Sequence, residues 1–173
     1  RPSHLDGIHG IIYNTSMKSG RIVIDTCVLV AALRSKRGAS YRLMMLIGKS
    51  KFRTHVSVTL AMEYEKAAKD VLSRTGLTAK ELDDILDFVV AHSEHQKIFY
   101  LWRPCLKDPN DYMVLELAVA AGCEYIVTFN LKDFPEPVVR GTKCVHPDSF
   151  LCNLLGTLAD EIKTAVREHL IFL

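Results

Sequence analysis

The sequence predicts an α/β protein in which a central, mainly parallel sheet of four to five strands carries helices on both faces. Three observations lead there. Short apolar segments alternate with helical segments along the chain, the order that builds parallel strand–helix–strand units. The strand segments are apolar at consecutive positions, as in Ile22-Val23-Ile24, which burial on both faces requires. Apolar residues make up 49% of the 173 residues, enough for a core between two helical layers in one domain of ordinary size.

Taken in order, residues 21–25 read as a buried strand that ends in an acid, Asp25. Residues 26–34 then turn helical, with Val28, Leu29, Ala32 and Leu33 recurring on one side. Arg34-Ser35-Lys36-Arg37-Gly38 is a basic loop, and a helix follows at about 39–48, ended by Gly48. Residues 52–56 form the second strand, and Ser57 caps a long helix that reaches about Leu72. Thr78-Ala79-Lys80-Glu81 is a capping box that opens a helix to about Ala91. The third strand is placed at residues 97–102. Asp108-Pro109-Asn110 sets acid and proline at the start of a helix over about 109–121, which is apolar nearly all round and therefore buried. A fourth strand at 124–128, a fifth at 142–146, and helices at about 147–155 and 157–170 complete the pattern.

No internal repeat, low-complexity tract or interdomain linker interrupts this order, so residues 17–173 read as a single domain whose last helices occupy 147–173. Residues 1–16, mixed in His, Gly, Ser and Asn and followed by Met17, read as a vector-derived or loose extension. No apolar run approaches the roughly 20 residues that span a bilayer, and the first residues lack the basic-then-apolar order of a secretory signal. The chain carries five cysteines, Cys27, Cys105, Cys123, Cys144 and Cys152, with no C-x-x-C pair. An odd count without that spacing argues against a disulfide framework or a zinc site and for a reducing, cytoplasmic setting. Cys144 and His146 form a lone C-x-H that fits ordinary strand residues. Charged residues make up 24%, against wholesale disorder, and the net charge of +2 neither marks nor excludes a nucleic-acid partner.

The positions of the acids are the informative feature. Asp25 ends the first strand, Asp108 and Asp111 follow the third, and Asn130 and Asp133 follow the fourth. In a parallel sheet all of these lie at the carboxyl edge, where open α/β sheets bind ligands. Carboxylates gathered there repel one another unless a cation sits among them, and oxygen donors without His or Cys suit Mg²⁺ or Mn²⁺. Each acid alone also fits a helix cap; for Asp25 that need is weaker because Thr26 follows and caps equally well. On the helix after Ser57, Leu60, Tyr64, Ala67, Ala68, Val71 and Leu72 form one stripe, and Glu63 and Glu65 flank it on opposite sides. Periodicity does not choose between the two.

Residues 22–30 (IVIDTCVLV), Ser57 with Glu63 and Tyr64, Asp108-Pro109-Asn110-Asp111 with Leu115 and Ala118, residues 124–134 (EYIVTFNLKDF) and residues 145–151 (VHPDSFL) together resemble the motif series of PIN domains. The motif core covers 21–151, and the nearest variety is the toxin component of type II toxin–antitoxin modules, the VapC-like ribonucleases. The resemblance implies a PIN-like three-layer α/β/α fold and a Mg²⁺- or Mn²⁺-dependent endoribonuclease. It makes Asp25, Glu63 and Asp111 the catalytic, metal-binding acids, with Asp108 and Asp133 as further ligands, and it favours Glu63 over Glu65. Thr26, Thr128 and Asn130 become supporting residues, and Arg34, Lys36 and Arg37 become candidates to steer the RNA phosphates. RNA as substrate, a cognate antitoxin and a homodimer are the implied partners.

Two positions depart from the pattern. Cys27 stands where the family usually has Asn, and a thiol lacks the paired donor and acceptor of an amide, so weaker support of Asp25 is expected. Asn130 stands where an Asp is common, which removes one negative charge. These departures favour a second possibility, a catalytically weak or dead PIN-like module that binds RNA or a partner protein. A phosphatase-type use of Asp25 as nucleophile lacks its second acid at Cys27, and no dinucleotide or P-loop glycine motif is present.

Overall fold

The structure, a computed structural model, describes residues 20–49, 51–99, 111–134 and 141–156. The N-terminal extension, Asp108 and the helix expected at 157–170 lie outside these residues. Five strands are present among them: β1 (Gly20–Ile24), β2 (Phe52–Val56), β3 (Glu94–His95), β4 (Tyr125–Val127) and β5 (Lys143–Val145). They form one sheet in the order β3-β2-β1-β4-β5, and every pairing is parallel. Around it lie α1 (Thr26–Arg34), α2 (Ala39–Met44), α3 (Val58–Val71), α4 (Ala79–Ala91) and α5 (Asp111–Ala120). A further helix, α6, covers residues 147–156.

β1 sits in the middle, and its composition explains why. Ile22 and Ile24 point to one face and Val23 to the other, yet all three are buried, so helices cover the sheet on both sides. The α5 helix supplies Val114, Leu115, Leu117 and Ala118 to this core. Ser57 caps α3 by accepting from the Leu60 N–H at 3.2 Å, and Leu60, Tyr64, Ala68 and Val71 are the buried stripe. Thr78 and Glu81 close the capping box in both directions at the start of α4.

Two expectations need correction. The third strand is Glu94–His95; of the segment expected at 97–102, residues 97–99 are outside any strand, Phe99 is exposed, and 100–102 lie outside the described residues. β3 can extend only as far as its partner does, and β2 stops at Val56, where Ser57 turns the chain into α3. Residues 97–99 resemble a strand in the sequence but join no ladder among the described residues. The helix expected at 39–48 ends at Met44 and gives way to turns. Gly48 adopts φ 77°, and a β-carbon there would come 2.7 Å from His92 Cδ2. That close approach to α4 accounts for the glycine.

The strand order places a reversal at the centre. The chain runs outward from β1 to β2 and β3, then crosses back to β4 and on to β5. The connections leaving β1 and β4 therefore diverge, and the carboxyl ends of those two strands are the place where open α/β sheets form a ligand crevice.

Candidate active site

The register fixes what meets at this crevice. Ile24 lies opposite Val127, and Val127 opposite Val145. One residue further on, Asp25, Thr128 and His146 form a row along the carboxyl edge. The backbone locks the row: the Asp25 N–H donates to the Val127 carbonyl and the Thr128 N–H to the Val145 carbonyl, each at 2.9 Å.

Asp25 is 6% exposed and Thr128 fully buried. Thr128 Oγ1 donates to Asp25 Oδ2 at 2.6 Å and accepts from the Asn130 N–H at 2.9 Å. Cys27 Sγ donates to the same Oδ2 at 3.1 Å. Asp25 occupies the N-cap position of α1 but makes no side-chain cap bond there. Its carboxylate is thus not spent on capping. One oxygen is held by two donors, and Oδ1 takes no hydrogen bond among the described residues. The N-terminal end of α1 adds a favourable dipole beside the negative charge.

Cys27 changes the expectation drawn from its sequence position. It lacks an amide's acceptor, but its S–H supplies the donor that the carboxylate needs. Burial, then the Asp25 charge, push its pKa up to about 12, so it stays a neutral thiol. Its sulfur also lies 3.7 Å from Thr128 Oγ1, so Cys27 ties the ends of β1 and β4 together. Tyr64, on the buried side of α3, donates its hydroxyl to the Ile24 carbonyl. Burial raises its pKa, with the Asp25 charge adding to the effect, and the phenol stays protonated. This bond pins α3 to the strand end that carries Asp25.

The other expected residues are placed as follows. Glu63 is half-buried on α3, one residue before Tyr64, and has no hydrogen bond or ion pair among the described residues. Glu65 is exposed and pairs with Lys69 one turn on, as a solvated surface glutamate does. Asp111 opens α5 and is half-buried. Asp133 is half-buried at the end of a 3₁₀ turn over Leu131–Asp133. Thr26 is the first residue of α1, and the Asn130 side chain is exposed. Among the described residues no three His, Cys, Asp or Glu side chains form a group that could hold a metal ion. Arg34, Lys36 and Arg37 are exposed at the far end of α1, roughly 13 Å along the helix from Asp25 at 1.5 Å per residue. Lys36 there lines a cavity with Glu81 and Asp84 of α4.

Residues 21–132 match the family model of the PIN domain. The chain belongs to the PIN domain family. Among solved structures, VapBC2 from Rickettsia felis bound to a DNA fragment from their promoter is similar, with a TM-score of 0.50 and 13% identity. The match covers 73% of this chain and 98% of that chain. At that identity the likeness is one of fold, and it agrees with the parallel sheet described above. No curated protein sequence matches the chain.

Sequence reasoning did not find the role of Tyr64 in this PIN domain. The available signal was a tyrosine on an otherwise apolar stripe, since a buried phenol needs a partner. It also weighed Cys27 only as a loss, because the donor it provides meets an acceptor set by strand pairing.

Proposed function

We propose that this PIN domain is a divalent-metal-dependent endoribonuclease acting in the cytoplasm, the toxin of a toxin–antitoxin module. One observation carries the reading: at the carboxyl edge between β1 and β4, Asp25 has one oxygen fixed by Thr128 and Cys27, and the other takes no hydrogen bond among the described residues.

The donor chemistry fits a hard cation. The available atom is a carboxylate oxygen, and Cys27 keeps its proton, so it offers no thiolate that would favour a softer metal. Asp25, Glu63 and Asp111 are the residues that would hold Mg²⁺ or Mn²⁺, with Asp108 and Asp133 as further carboxylates. When bound, such an ion supplies positive charge against the scissile phosphate and makes a water more acidic. The chain's own contribution is positional. Thr128 and Cys27 hold Asp25 in one orientation, Tyr64 holds α3 and hence Glu63 near the strand end, and the buried sheet edge limits water at the site. Arg34, Lys36 and Arg37 would meet phosphates further along the strand.

The partner reading follows by likeness to VapBC2. A cognate antitoxin covers the acidic crevice, and two copies of the chain associate.

The test is cleavage of single-stranded RNA by purified protein with Mn²⁺, stopped by EDTA. Asp25→Asn is expected to lose more activity than the about 100-fold that removing a supporting partner of a metal ligand costs, while still folding. Full cleavage by that variant would remove Asp25 from the chemistry. A second reading, a module that binds RNA without cutting it, is favoured by the lack of a closed three-ligand group among the described residues. Calorimetric titration with Mn²⁺ separates the two, since the binding-only module takes up no metal.

A further inference from the structure

The carboxyl edge carries an aromatic pair that acid chemistry does not use. Phe129 follows Thr128 directly and is 42% exposed. Its ring centroid lies 5.7 Å from that of His146, with the planes at 78°, an edge-to-face contact. The ring is anchored: Thr128, the residue before it, donates to Asp25 at 2.6 Å, and Thr128 Oγ1 accepts from the Asn130 N–H, the residue after it, at 2.9 Å. The aromatic group is therefore held at a fixed place beside the acid while much of its surface faces solvent. Asn130 and Lys132, both exposed, follow on the same turn.

We propose that Phe129, braced by His146, is a stacking platform for one base of single-stranded RNA whose backbone passes the Asp25 edge. The proposal rests on the ribonuclease reading for its ligand and adds a subsite to it. Single-stranded nucleic acid is held by a flat π-face, by polar groups that read base edges, and by cations along the backbone. Phe129 supplies the first, the Asn130 amide, with both donors and an acceptor, the second, and the Lys132 ammonium the third. A protein-docking centre would instead need a broader apolar core with charge kept to its rim; here amide and ammonium groups stand within three residues of the ring. Every base has a π-face, so the platform accepts any base, with purines favoured by their larger stacking area.

The test uses the full chain in EDTA, where cleavage does not occur, with a short single-stranded RNA carrying 2-aminopurine. Wild type is expected to quench the fluorophore on binding. Phe129→Ala should abolish the quench and weaken binding by about ten-fold, the effect of losing one stacked base. Phe129→Trp should keep both, which shows that the loss in the alanine variant is not one of folding. His146→Ala should weaken binding by about two- to ten-fold, the range for losing an aromatic contact. No quench by wild type, or equal quench and affinity in Phe129→Ala, overturns the proposal; in the latter case the ring belongs to a protein contact. If the quench depends on Phe129 but wild type with Mn²⁺ leaves RNA uncut, the platform stands and the ribonuclease reading fails.

Discussion

Asp25 and His55 lie at the same depth, each 6% exposed, at the carboxyl ends of neighbouring strands, and the fold treats them in opposite ways. Asp25 receives a hydroxyl and a thiol on one oxygen, and its other oxygen takes no hydrogen bond among the described residues. Neither ring nitrogen of His55 has a hydrogen bond. Its nearest opposite charge, Glu94 Oε2, is 3.5 Å from Nε2 but sits on a half-exposed side chain that also pairs with Arg53 at 3.2 Å. Burial lowers the His55 pKa below 6.5; Glu94 pulls the other way, and Arg21 and Arg53 add to the lowering. The imidazole is kept neutral. The difference follows from topology. Between β1 and β4 the connections part and leave room for donors and a ligand, whereas between β2 and β3 a two-residue strand ends the sheet and leaves only charges at its rim.

The largest test of this contrast is Thr128→Val, which keeps the shape and removes the hydroxyl. It leaves the Asn130 N–H without its acceptor and Asp25 with the thiol alone. Stability should fall by about 1–3 kcal/mol in urea unfolding, and RNA cleavage by about 10- to 100-fold. Lowered stability with full cleavage would reduce Thr128 to a brace. Next comes Cys27. Cys27→Ser keeps a donor and should behave like wild type, whereas Cys27→Val should cost about 1 kcal/mol and lower cleavage; equal behaviour of the two would deny the thiol its role.

His55→Leu should be milder and of the opposite sign. Replacing an unbonded buried imidazole is expected to be neutral or stabilising by up to about 1 kcal/mol near pH 7. The pH dependence has a definite direction. The unfolded chain binds a proton at His55 near 6.5 and the folded chain only below that, so the wild type loses stability as pH falls below 6.5. His55→Leu should flatten that limb of the stability curve, and an unchanged slope would show that His55 is not the group responsible. The smallest effect belongs to Glu65→Ala. It removes a solvated ion pair with Lys69 and should shift neither the unfolding midpoint nor cleavage measurably, in contrast to Glu63 two residues earlier.

Much of this was readable in the sequence where the cause is local. Consecutive apolar residues gave β1 its central place, Ser57 and the Thr78–Glu81 box set the starts of α3 and α4, and Asp25 at a strand end marked the edge. What was not readable depends on partners distant in the chain. Residues 97–99 are strand-like by composition, but where β3 pairs is decided by where β2 stops. Glu63 and Glu65 look alike by periodicity, and only the folded helix shows that Glu65 is exposed and paired with Lys69 while Glu63 is half-buried. Cys27 reads as a defect until Thr128 and the end of β4 are brought beside it.

The bond between Thr128 and Asp25 joins residues 103 apart. At translation speeds of about 5–20 residues per second, Asp25 emerges from the ribosome many seconds before its hydroxyl partner exists. Through that interval the growing chain has Asp25 but not the hydroxyl that fixes it. Only when β4 has been synthesised and paired beside β1 is the edge that holds Asp25 complete.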